Sequence, residues 1–267
     1  MADLLVMPDW LVAHHADADL RVLDPRRPED YARGHVPGAV NAWSGFKDDE
    51  RPLHVVSAER AQREIRALGI SADTRVVVLG DGMLAGRVWW FLRLHGHTDV
   101  RVADGGHAAY VAAGGHLETE PAAVSIGDFT ARVDGTVLAR AEDVLRDLGG
   151  RAQVLDVRSD EEWRGSNTFK HKRVGHVPGA IHVVWTELLT ETDPKRFRSA
   201  EEIRAILAKH GITPSHRVVT VCEVGYRAAH SAFALRLAGF DDVRVYDASM
   251  REWDDREDLP LEPPTNS

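Results

Sequence analysis

The 267-residue sequence contains a single cysteine, so no disulfide can form within the chain. This scarcity suits a reducing compartment. No apolar run is long enough to cross a bilayer. The first twenty residues carry acidic side chains early and lack the basic segment and apolar core of a secretory signal. We therefore expect a cytoplasmic protein.

Positive charge is also scarce, with 33 Lys and Arg against 42 Asp and Glu, a formal net charge of −9. This balance argues against broad binding to nucleic acid or to an anionic membrane, because both need a basic surface. The 14 histidines have no clustered cysteines or carboxylates at zinc-ligand spacing. We therefore predict no metal, no cofactor, and no nucleic-acid or membrane partner.

The sequence does contain an internal repeat. Residues 34–39, Gly-His-Val-Pro-Gly-Ala, return identically as residues 175–180. Three further pairs recur in the same order: 22–26 with 154–158, 75–78 with 217–220, and 99–102 with 242–245. The offset between the two copies jumps once, from 132 to 141 residues, and then drifts little, which indicates an insertion between Arg158 and Gly175. The repeat predicts two homologous domains at 1–120 and 138–267, joined by a linker at 121–137.

Each copy alternates short β-branched runs with helical patterns. The helical segments begin at Ser57 and Ser199 and end at Gly69 and Gly211, as helix termini prefer. Strand and helix in alternation predict an α/β fold, in which each domain is an open, mainly parallel sheet with helices on both faces.

The loop that begins at Cys222 carries the clearest chemistry. It follows the strand-like residues 217–221 and precedes a helical stretch at 228–237. Its other members are Glu223, Val224, Gly225, Tyr226 and Arg227. Backbone N–H groups of a loop that enters a helix favour an anion, so a thiol there is expected to be held as a thiolate, open to solvent. A lone cysteine is more commonly a small buried residue, but these flanking residues favour a nucleophile.

The chain resembles the rhodanese family over nearly its whole length. The resemblance lies in the Asp-x-Arg strand end at 156–158, the 175–180 segment, the six-residue cysteine loop, residues 237–247, and Trp253. It implies two tandem rhodanese-like domains with sulfurtransferase activity and the cysteine only in the second copy. In the first copy Gly80 takes the place of Cys222. The family's thiolate takes the outer sulfur of a donor as a persulfide and passes it to cyanide or a thiol.

Two donors compete within this resemblance. Loops of mercaptopyruvate-type members resemble Cys-Gly-Ser-Gly-Val-Thr, whereas this loop has Glu223, Val224, Tyr226 and Arg227 instead. The loop is more similar to those of thiosulfate-type members, which close with arginine, so we favour thiosulfate with Arg227 as the donor-binding residue. Glu162 stands where many two-domain members have a substrate-binding arginine.

The insertion is basic, with Lys170, His171, Lys172 and Arg173 in succession. One hypothesis is that these charges steer an anionic donor towards the site, and the plain alternative is a solvated basic loop. The Asp-Arg pairs 24/26 and 156/158 occur in both copies, and so do His35 and His176. Because the copy without a nucleophile keeps them, we predict structural roles for all of these.

Two other classes of protein remain as alternatives. A cysteine followed by an arginine is also typical of a phosphate-binding phosphatase loop, but four residues separate Cys222 from Arg227, whereas those phosphatases resemble Cys-x5-Arg. The second alternative is a non-catalytic rhodanese-like module for regulation or sulfur-carrier binding. The intact cysteine, glycine and arginine of the second copy argue against it.

Overall fold

The computed structural model describes residues 4–43, 46–80, 82–169 and 171–265. The chain divides into two compact units. The first comprises Met1–Asp49, Val56–Asp134 and Glu191–Phe197, and the second comprises Glu50–Val55, Gly135–Thr190 and Arg198–Ser267. Most of the predicted linker packs within the first unit, where Phe129 is buried and its carbonyl accepts a 2.7 Å hydrogen bond from Arg66. Each repeat also gives one short segment to the unit formed mainly by the other.

Within the described residues, each unit contains one five-stranded sheet in which all recorded strand pairs are parallel. The first sheet consists of β1 Leu5–Val6, β2 Leu20–Asp24, β3 Val40–Asn41, β4 Arg75–Leu79 and β5 Val100–Ala103. The second consists of β6 Leu138–Ala139, β7 Gln153–Asp156, β8 Ile181–His182, β9 Val218–Val221 and β10 Val243–Tyr246. The strand orders, β1-β5-β4-β2-β3 and β6-β10-β9-β7-β8, correspond position by position. The predicted α/β fold of two repeated units is confirmed.

Helices accompany both sheets. In the first unit they are α1 Pro8–His14, α2 Pro28–Arg33, α3 Ala58–Ala67, α4 Met83–Leu94 and α5 Gly106–Ala112. In the second they are α6 Ala141–Asp147, α7 Asp160–Trp163, α8 Ala200–Lys209, α9 Tyr226–Leu237 and α10 Ser249–Asp255. Ser57 and Ser199 cap α3 and α8 by accepting backbone N–H groups, as predicted. Among the described residues, no helix has the length and apolar character that crossing a membrane would require.

Central strands are buried on both faces, as in covered parallel sheets. All four residues of β9 are buried, and so are the last three residues of β2 and of β7. The predicted Asp-Arg pairs lie where β2 and β7 end. Arg158 contacts Asp156 at 2.7 Å and Arg26 contacts Asp24 at 2.5 Å. Each arginine also donates to the carbonyl at the start of the repeated turn, which supports the predicted structural role.

Candidate active site

Cys222 directly follows β9 and lies between two helices of the second unit. Its carbonyl accepts a 3.0 Å hydrogen bond from the N–H of Met250 in α10. Its own N–H donates to the Ser249 hydroxyl at 3.1 Å, and that hydroxyl donates to the Tyr246 carbonyl at 2.7 Å. Ser249 adopts a positive φ of 55°, an unusual conformation for a residue with a side chain. The end of β10 and the start of α10 therefore fix the cysteine backbone.

The sulfur of Cys222 faces polar groups. The N–H of Gly225 donates to Sγ at 3.1 Å, and the Ser249 hydroxyl lies 4.0 Å from Sγ. Gly225 has a φ of +87°, and this left-handed turn brings its N–H back towards the sulfur just before α9 begins. An N–H donor and a 12-residue helix N-terminus together stabilise negative charge on sulfur. One of the predicted loop amides is therefore in place.

Cys222 is only 1% exposed, so the expectation of a solvent-open thiol is wrong. The loop packs closely against Asp247, the residue that follows β10. A Cβ added at Gly225 would lie 2.4 Å from the Asp247 carbonyl oxygen, which shows how little space separates the two segments. The sulfur is buried, but a backbone amide and a hydroxyl lie beside it, so its surroundings differ from those of a cysteine in an apolar core.

Arg227, predicted to bind the donor, pairs instead with Glu162. Both terminal nitrogens of the guanidinium donate to the carboxylate, one of them at 2.6 Å. Burial alone would raise the pKa of Glu162, but the hydrogen bonds and charge of Arg227 outweigh burial and lower it. Burial likewise opposes the charge of Arg227, but Glu162 and the neighbouring Cys222 raise the pKa of the arginine. The sequence places these residues 65 positions apart, and no local pattern links them.

The insertion reaches the cysteine loop through His171. Its Nε2 lies 2.6 Å from a carboxylate oxygen of Glu223, and its Nδ1 lies 3.1 Å from the carboxylate of Asp254. Arg251 contacts the other oxygen of Glu223 at 2.7 Å. Glu223 is therefore anchored by groups from the insertion and from α10. Sequence reasoning missed this cluster, because its three segments are far apart along the chain.

The remaining basic residues of the insertion differ in their roles. Arg173 donates to the carbonyls of Trp253, Asp254, Arg256 and Leu259, so its guanidinium holds the insertion against the end of α10. Lys172 is exposed and lies 3.1 Å from Asp255. Lys170 lies outside the described residues. The structure therefore gives Arg173 an anchoring role, and the steering hypothesis stays a prediction for Lys172 and Arg173.

In the first unit, a glycine occupies the position that corresponds to Cys222. Gly80 follows β4 as Cys222 follows β9, and a Cβ at Gly80 would lie 2.3 Å from the Ala103 carbonyl oxygen. The position has therefore no room for a side chain. Within the described parts of the chain, no group of three or more His, Cys, Asp or Glu residues is arranged to hold a metal ion.

We expect Ser249→Ala to destabilise the second unit, because the buried N–H of Cys222 loses its acceptor. The free energy of unfolding should fall by about 1 to 3 kcal/mol. Ser231→Ala is the matched control, because the equally buried Ser231 hydroxyl has no hydrogen bond recorded among the described residues. Denaturant unfolding of both variants checks this, and equal losses would contradict the role assigned to Ser249.

Comparison with known proteins gives a family match to each unit. A model of the rhodanese-like domain matches residues 7–113 and again residues 140–256. The chain is 34% identical to the sulfur carrier protein TtuD of Thermus thermophilus, covering 97% of this chain and 96% of TtuD. It is 33% identical to the putative thiosulfate sulfurtransferase SseA of Mycobacterium tuberculosis, covering 96% of this chain and 90% of that protein.

A solved structure agrees with these matches. The crystal structure of SseA from Escherichia coli, described as a 3-mercaptopyruvate sulfotransferase with the rhodanese fold, superposes with a TM-score of 0.82 at 28% identity. The superposition covers 92% of this chain and 98% of that one.

Proposed function

Because the chain belongs to the rhodanese family, with two tandem copies of the domain as predicted, we propose that it is a sulfurtransferase that works through a persulfide on Cys222. Its donor is thiosulfate, and its acceptor is cyanide or a thiol. The observation that supports this proposal best is the hydrogen bond from the Gly225 N–H to Sγ at the start of α9. The same donor can stabilise the thiolate before transfer and the persulfide after it.

The reaction proceeds in two covalent steps, and ping-pong kinetics should accompany it. The Cys222 thiolate attacks the outer sulfur of thiosulfate, a sulfur–sulfur bond forms to the enzyme, and sulfite leaves with the electron pair of the broken bond. The acceptor then attacks the outer sulfur of the persulfide and restores the thiolate. Because Cys222 is 1% exposed, neighbouring side chains must move before a donor reaches the sulfur.

Thiosulfate is favoured by the composition of the loop. Departure of sulfite needs no proton, whereas the enolate formed from mercaptopyruvate does. Residues 223–227, Glu-Val-Gly-Tyr-Arg, include no serine or threonine hydroxyl, and the Ser249 hydroxyl near Sγ already donates its hydrogen to the Tyr246 carbonyl. The mycobacterial relative is named a putative thiosulfate sulfurtransferase, which agrees with this choice. Mercaptopyruvate is the second candidate, because the E. coli protein of the same fold is described as acting on it.

The partners that we propose are small molecules: the sulfur donor, and cyanide or a thiol as acceptor. One relative is named a sulfur carrier protein. A thiol on another protein would be an acceptor of the same chemical class as a small-molecule thiol. We propose a cytoplasmic location, which is supported by a single cysteine that is not in a disulfide.

Mass spectrometry of the intact protein after thiosulfate treatment tests the proposal. We expect a gain of one sulfur atom that maps to Cys222 and is removed by cyanide. Turnover with thiosulfate should exceed turnover with mercaptopyruvate, and the reverse ranking would select the second candidate. No gain of sulfur from either donor would favour a non-catalytic module. Hydrolysis of p-nitrophenyl phosphate would favour a phosphatase.

A further inference from the structure

The arginines around the cysteine loop are each paired with a carboxylate. Arg158 contacts Asp156, Arg251 contacts Glu223, and Arg227 contacts Glu162. Arg227 stands out because it is the last residue of the loop that Cys222 begins, in the first turn of α9, and Cys222 is among the neighbours that raise its pKa. An anionic donor that approaches the sulfur therefore meets a neutral ion pair, although a free arginine would suit a dianion better.

Glu162 is fixed in this pair from two sides. It is 3% exposed. It is the third residue of α7, and one of its oxygens accepts the Ser159 N–H at 2.9 Å in a capping box. The capping role alone does not explain its position, because α8 begins with the same box, and there Glu202 is exposed. What distinguishes Glu162 is that the same carboxylate also accepts both terminal nitrogens of Arg227.

A donor can use Arg227 only in competition with this carboxylate. The competition acts on binding of the donor before any bond changes, so it should raise the donor concentration needed for half-maximal loading and leave the maximal rate little changed. Repulsion by the Glu162 charge also grows in proportion to the donor's charge, so it disfavours a dianion more than a monoanion.

We propose that Glu162 is a specificity-determining residue: thiosulfate stays the donor of the site, but Glu162 weakens its binding more than it weakens the binding of sulfane-sulfur donors that carry one negative charge. This inference rests on the proposed persulfide chemistry at Cys222. Thiosulfonates are the matching donor class. With methanethiosulfonate the thiolate takes the outer sulfur in the same way, and methanesulfinate leaves with the electron pair in place of sulfite.

The test compares loading of Cys222 by thiosulfate and by methanethiosulfonate in the wild-type protein and in Glu162→Gln. Glutamine keeps one oxygen for the Ser159 cap but loses the charge. Because Coulomb energy is proportional to charge, we expect about a tenfold rise in loading efficiency with thiosulfate and about a threefold rise with methanethiosulfonate. The rise should appear as a lower half-saturating donor concentration.

Two further variants keep the result interpretable. Glu161→Gln removes an exposed charge from the same helix and should leave the ratio of the two donors unchanged. Glu162→Asp keeps the charge, so its ratio of loading by the two donors should stay close to the wild-type ratio. This variant serves as the comparison if Glu162→Gln unfolds. A large change of the ratio in Glu162→Asp would then overturn the charge argument.

The outcomes separate this inference from the function on which it rests. Suppose that the wild-type protein is loaded with sulfur, but that the ratio of thiosulfate to methanethiosulfonate loading in Glu162→Gln equals or falls below the wild-type ratio. This result overturns the inference and leaves the proposed function intact. Absence of loading from either donor in every variant overturns the proposed function and the inference together.

Discussion

Replacing Cys222 by alanine should reduce sulfur transfer by at least about a thousandfold, as expected when the nucleophile of a covalent mechanism is lost. No other cysteine exists in the chain to take its place. The gain of one sulfur atom after thiosulfate treatment should disappear as well. Steady-state turnover and intact-mass measurement on the same preparation check both expectations.

The alanine variant should remain folded, which makes its inactivity informative. Cys222 makes its backbone hydrogen bonds to Ser249 and Met250 through groups that alanine retains. The thermal unfolding midpoint is the control measurement. A folded Cys222→Ala protein that keeps turning over thiosulfate would contradict the persulfide mechanism.

The sequence predicted the fold because the fold depends on local patterns and on the repeat. The Ser199 cap lies next to the helix that it starts, and the Asp156–Arg158 pair spans two residues. The strand that Cys222 follows, Val-Val-Thr-Val, consists of β-branched residues, and the parallel sheet buries all four of them. Each of these features can be recognised in a short window of sequence, and the repeat shows the same feature in both copies.

The contacts around the site could not be predicted in the same way. Glu162 meets Arg227 across 65 residues, and His171 meets Glu223 across 52. Such pairs depend on how α7, the insertion and α10 pack around one loop, and no spacing rule describes that. Exposure of Cys222 was mispredicted for a related reason, because residues that contact it, such as Ser249, lie 27 positions further along the chain.

Gly225→Ala should lower sulfur transfer by about a hundredfold or more, the usual effect of disturbing one donor to a reacting anion. A Cβ at this position would lie 2.4 Å from the Asp247 carbonyl oxygen and 2.7 Å from its carboxylate. Because Asp247 directly follows β10, which is mostly buried in the sheet, we expect the loop to be the segment that shifts. Its N–H would then turn away from Sγ, and the thiolate and the persulfide would lose the same hydrogen bond.

Gly211→Ala separates this effect from backbone strain. Gly211 has a φ of +74°, close to that of Gly225, but nothing lies within 4 Å of an added Cβ. Both variants should lose about 1 to 2 kcal/mol of stability from a left-handed alanine, yet only Gly225→Ala should lose activity to this extent. Sulfur loading and thermal unfolding of the two variants, measured side by side, decide the matter. If both lose activity equally, the hydrogen bond from Gly225 has no particular role in the chemistry. If neither variant loses activity, the loop accommodates a methyl group and keeps the hydrogen bond from the residue 225 N–H to Sγ. The close approach to Asp247 would then not determine the orientation of that N–H.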